Sequence, residues 1–150
     1  MHGLTPADLE FSTVVTTASG RQVRLLDPAV LLKGKISTLL HLGATQRPND
    51  ERHIRLLIPI TSAFLNERTE AVRAGLTAEK PLLSAMRYAI EVGQSHQAQA
   101  LAKEYNFDFH AVMPTIEDFT KLPRLANFMA IELPRILPSR DRGSIEREID

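Results

Sequence analysis

The stretch "RQVRLLDPAVLLKGKISTLLHL", residues 21–42, decides the fold. Its first residues alternate as an extended strand does, and the rest carries apolar residues at helical spacing. Asp27-Pro28 stands between the two patterns. An aspartate ahead of a proline is a strong helix start. The carboxylate can accept from the free N–H groups of the first turn, and proline at the first helical position gives up an N–H that would be unpaired anyway. Asp27 is therefore expected to cap a helix. Val30, Leu31, Leu32, Ile36, Leu39 and Leu40 form its apolar face, and Gly43 is expected to end it. Lys33 and Lys35 are two apart, so they cannot share a face.

Upstream, "LEFSTVVTT" (9–17) is rich in β-branched residues, with Phe11, Thr13, Val15 and Thr17 on one side. "ASGR" follows, where Gly20 suits the positive φ of a tight turn. The pattern predicts a β-hairpin over residues 1–27, with Glu10 opening its first strand and Asp8 behind it. A lone hairpin is marginal in water and needs more strands or a helix to lie on.

Downstream, the loop "ATQRPND" (44–50) leads to a second helix capped by Asn49 or Asp50. Pro59 should kink or split that helix. Thr77 is expected to cap a third, which Gly93 interrupts before "QSHQAQALAKEY", with Asn106 as a left-handed cap. Thr115 and Asp118 have cap-like spacing, and "LPRLANFMAIELPRIL" reads as a last helix broken near Pro134. Helices are thus predicted over 28–43, 50–73, 78–104 and 123–137. The fold class is mainly α (α+β): a hairpin (1–27), a bundle of four to five helices (28–137) and a mobile charged tail (138–150).

Composition narrows the function. The chain of 150 residues is 43% hydrophobic and 24% charged, with 18 basic and 18 acidic residues. That is ordinary globular composition with no whole-chain field to attract nucleic acid, so any such site must be a local patch. Without cysteine there are no disulfides, thiolate metal sites or cysteine nucleophile. No apolar run approaches the roughly 20 residues that span a bilayer. The N-terminus lacks a basic-then-apolar leader pattern, so a cytoplasmic location with no membrane contact is expected. HExxH, P-loop, GxGxxG and GxSxG motifs are absent.

Pro28, Leu32 and Lys35, followed by a basic loop and "DERHIRLL" (50–57), carry a resemblance. The chain resembles, over residues 9–105, the C-terminal part of nucleotidyltransferase-like proteins of the DNA polymerase β superfamily, especially the AbiEii type. In that group a strand ends the catalytic sheet and a "P-x-x-L-x-x-K" helix opens the helical part. The resemblance implies that the hairpin is the rim of a larger sheet. It also implies that Lys35 faces a phosphate; the alternative is a lysine snorkelling from the core edge. Those enzymes need a Gly-Ser loop and a pair of acidic residues for Mg2+ and a nucleoside triphosphate. This chain has neither, and Glu10 is the candidate for the third carboxylate, with a solvated strand-end acid as the alternative. The expectation is a protein not catalytic alone.

Other readings stand beside it. Arg21, Arg24, Lys33, Lys35 and Arg47 are candidates for one basic patch that binds nucleotide or RNA weakly. Arg47 and His53 also match the arginine-histidine spacing of HEPN ribonucleases, although Pro48 follows the arginine where those proteins carry a polar residue. The plain alternative there is an exposed capping turn with Glu51 and Arg55 paired at i,i+4. Finally, an exposed hairpin edge invites self-association or a protein partner that completes the sheet.

Overall fold

The computed structural model describes residues 3–137; the charged tail expected over 138–150 lies outside the described residues. A 3-10 turn, Asp8–Glu10, precedes strands β1 (Ser12–Thr16) and β2 (Gln22–Leu26). Helices α1 (Pro28–Gln46), α2 (Asp50–Arg73), α3 (Glu79–Gln94) and α4 (His96–Tyr105) follow. A second 3-10 turn, Phe109–Val112, leads to α5 (Pro123–Asn127), a wide π turn (Phe128–Glu132) and α6 (Leu133–Ile136). The chain is mainly helical with an N-terminal antiparallel hairpin, as its spacing predicts.

The core is built on α1. Leu32, Ile36 and Leu39 are at most 1% exposed and meet Ile54 and Leu65 of α2 and Met86 and Ile90 of α3. Leu101, Leu125 and Phe128 close it from the C-terminal elements. Gly93 of α3 passes close to the second 3-10 turn: a Cβ there would lie 3.1 Å from Phe109 Cβ.

Differences from the sequence expectations have local causes. Glu10 lies in the 3-10 turn rather than on the first strand, because Asp8 draws the chain inward just ahead of β1. Asp27 occupies the N-cap position of α1 but its side chain bonds no helix N–H; Oδ1 is buried without a partner. Asn49 and Ala78 hold the N-cap positions of α2 and α3 without side-chain caps, so Thr77 caps nothing. Gly43, at φ 71°, breaks the helical path of α1, which resumes to Gln46. Helix α2 runs unsplit through Pro59. That residue is exposed, so the carbonyl deprived of its N–H partner faces water. The break between α3 and α4 falls at Ser95, whose Oγ accepts from Ala98 N–H at 3.1 Å. Asn106 takes the expected left-handed conformation, φ 58°. Residues 115–118 are not helical; Asp118 instead accepts from the N–H and hydroxyl of Thr120. The last helix is interrupted just ahead of Pro134, where the π turn separates α5 from α6 and Pro134 sits in the first turn of α6.

Candidate functional site

Lys33 and Lys35 point to opposite sides of α1, and each meets a buried carboxylate. Lys33 Nζ donates to both oxygens of Asp8, at 2.8 and 3.0 Å. The same carboxylate accepts from Thr5 N–H (2.6 Å), Thr5 Oγ1 (3.0 Å) and Tyr88 OH (2.8 Å). Asp8 is only 4% exposed. Burial pushes its pKa up, but these donors outweigh burial and hold it down to about 2. Burial, and then the bond to Asp8, push the Tyr88 hydroxyl above its ordinary range. Phe11 stacks on Tyr88 with ring centroids 4.2 Å apart. The result is a latch that ties the N-terminal turn to α1 and α3. Beside it opens a cleft of about 540 Å³, bounded by Asp8, Lys33, Arg87, Tyr88, Glu91 and Ser95. Arg87 is itself held by Glu132, at 2.9 Å, and lies over Phe128.

A second latch closes the α1–α2 turn. Lys35 Nζ donates to Asp50 Oδ1 at 2.9 Å, and Arg47 Nε to Oδ2 at 3.2 Å. His53 Nδ1 lies 3.7 Å from Oδ1. Asp50 is 2% exposed; burial raises its pKa, but the bonds from Lys35 and Arg47 prevail and lower it. Arg47 and His53 thus share one small cleft with Asp50 between them. Both side chains remain nearly half exposed, and the buried carboxylate lies beside each of them. Arg55 makes the expected i,i+4 pair with Glu51 at 2.9 Å and also donates to the Tyr105 carbonyl.

The five basic residues therefore do not converge as one patch. Lys33 is engaged by Asp8, Lys35 and Arg47 by Asp50, and Arg24 donates to Ser12 Oγ on the exposed hairpin, next to Arg21. Lys35 neither snorkels freely nor offers a bare cation. Glu10 is exposed and shares a cleft of about 480 Å³ with Asp27, Phe64, Arg68 and Pro81. Among the described residues no group of three or more His, Cys, Asp or Glu could hold a metal. The acids present do not fit a two-metal site: Asp8 has its lone pairs taken by Lys33, Tyr88 and Thr5, and the cleft of Glu10 offers one further carboxylate, Asp27, which is short of the set that two metals need.

The third feature is the hairpin itself. Asp27 N–H donates to the Phe11 carbonyl and Thr17 N–H to that of Arg21. Register pairs Thr13 with Leu25, Val14 with Arg24 and Val15 with Val23. Inward bonds alternate along an antiparallel pair, so the odd positions of β1 bond to β2. The N–H and C=O groups of Ser12, Val14 and Thr16 point outward. Thr13, Val15, Val23 and Leu25 share the face that overhangs α2, where a trough of about 420 Å³ runs past Phe64 and Ala71. Val14 is 48% and Leu25 51% exposed. Arg68, stacked over Phe64, donates to Thr13 Oγ1 and anchors the base of β1.

No family model, curated protein or solved structure matches the chain. Among the described residues no helix is long and apolar enough to cross a membrane.

Sequence reasoning found the two lysines and the hairpin but missed the latches. The spacing Lys33-x-Lys35 signalled two separate destinations. It could not name Asp8 and Asp50, which lie 25 and 15 residues away.

Proposed function

We propose that the chain is a helical interaction module whose two-stranded hairpin is the rim of a larger sheet, and that it is not catalytic alone. The observation that carries this is an uncharged strand with its outward backbone groups open to pairing and apolar side chains exposed around it. The resemblance to the helical part of nucleotidyltransferase-like proteins supports the same reading, since there a strand passes from a sheet into such a helix. Mg2+ and a nucleoside triphosphate belong to this reading only where the catalytic carboxylates are supplied from outside these residues.

Two measurements test it. Incubated with labelled nucleoside triphosphates, Mg2+ or Mn2+, and RNA or protein acceptors, the purified chain should transfer nothing. Robust transfer abolished by Glu10→Ala would overturn the non-catalytic half. In host cells, cross-linking from β1 should capture a complex heavier than the monomer, and Val14→Pro should abolish it. That substitution removes an outward N–H and leaves the bonds to β2 in place. A complex indifferent to Val14→Pro, or none at all, would overturn the other half.

A further inference from the structure

The two edges of the hairpin are not equivalent. β2 carries Arg24 at its centre with Arg21 just ahead of it, and runs directly into Asp27 and α1. An arginine on an edge strand discourages pairing, and a symmetric contact there would oppose Arg24 to itself. β1 reads Ser-Thr-Val-Val-Thr, with no charge, proline or glycine. Its outward groups belong to Ser12, Val14 and Thr16, evenly placed about Val14.

We propose that a second copy of this chain pairs antiparallel with β1 about a two-fold axis beside Val14. The inference rests on the sheet-completion reading above and names its occupant. The symmetry sets Val14 against Val14 of the other copy and Ser12 against Thr16, so the outward N–H and C=O groups of all three residues find partners. Thr13 then faces Val15 across the junction, on the same side as Val23 and Leu25. The opposed side chains are neutral and mostly β-branched, and the Arg24 guanidinium on Ser12 Oγ comes beside Thr16 of the other copy rather than beside its own counterpart, so like charges do not meet across the contact. The two hairpins become one four-stranded sheet with a continuous apolar face. A contact of one short strand is small, so the dimer is weak and forms in the micromolar range.

The test is sedimentation equilibrium of the purified full chain from low micromolar to near-millimolar concentration. Wild type should show a monomer–dimer equilibrium. Val14→Lys and Val14→Glu should each be monomeric, and mixing them should restore a dimer with one copy of each. Val14→Pro should be monomeric with unchanged helical circular dichroism. Amide exchange in the dimer should slow at Ser12, Val14 and Thr16 and stay fast at Gln22 and Arg24. Wild type that remains monomeric throughout overturns the second copy as occupant. If the Val14→Pro-sensitive complex in cells persists in that case, the sheet-completion reading stands with another strand in place; if that complex is also missing, both fail. A dimer that survives Val14→Pro, that mixed lysine and glutamate variants do not restore, or that protects Arg24 overturns the register.

Discussion

Asp8 and Asp27 lie at opposite ends of the hairpin segment and respond to pH in opposite directions. Asp8 is held at about 2, below the 3.8 of a free carboxyl. Its ionised form is therefore favoured by folding, and this stability is present above pH 4 and lost as pH falls toward 2. The shift corresponds to about 2 kcal/mol. Asp8→Asn should lower stability by about that amount at pH 7, with the deficit shrinking in acid, as measured by urea unfolding across pH. Asp27 is the reverse case. Burial pushes its pKa up, only partly opposed by Arg68 and Thr13. Its contribution is thus favourable below the ordinary carboxyl value and lost as pH rises through the elevated one. Asp27→Asn should raise the melting temperature at pH 7 and leave it unchanged near pH 3. The sequence placed Asp27 correctly at the mouth of α1, yet as a cap. What it could not convey is that this carboxylate is partly buried and feels Arg68, distant in the chain.

At the scale of elements, local chemistry was legible where the chain decides alone and illegible where packing decides. The hairpin, the start of α1 at Pro28, the full span of α2 and the left-handed turn at Asn106 follow from residues within a few positions of each other. The α3–α4 break is expected at Gly93 but belongs to Ser95; Gly93 stays inside α3, where its lack of a side chain admits Phe109. Ser95→Ala should therefore destabilise the protein by about 1 kcal/mol, the usual cost of losing an N-cap. Pro59 offers a check of the opposite sign. Since α2 is continuous there and the residue is exposed, Pro59→Ala should restore a helical hydrogen bond and stabilise by about 1–3 kcal/mol. A thermal or chemical denaturation series with both variants would show the two signs directly.

Across the whole molecule, equal numbers of acids and bases conceal a division between cations held by buried carboxylates and cations on the exposed hairpin. Lys33, Lys35 and Arg47 are tied to nearly buried carboxylates, while Arg21 and Arg24 stand on the exposed hairpin. Reversing Lys35 is consequently a structural change and not a surface one. Lys35→Glu would set two carboxylates together where Asp50 has almost no solvent, and should cost about 3–5 kcal/mol. Nucleic-acid affinity must be probed with the hairpin arginines instead. Two cations meeting single-stranded RNA release few counterions, so log K against log salt should have a slope of about −1.4. Any weak RNA binding seen by filter binding at low salt should be removed by Arg21→Gln with Arg24→Gln, without unfolding. Arg47→Ala and His53→Ala should leave it unchanged and expose no RNA cleavage to lose, since both side chains are drawn toward the buried Asp50 carboxylate. A slope of about −3 or steeper would mean that the latched lysines also reach phosphate. Cleavage lost in the Arg47 and His53 variants, with binding retained, would make the Asp50 cluster an active site rather than a latch.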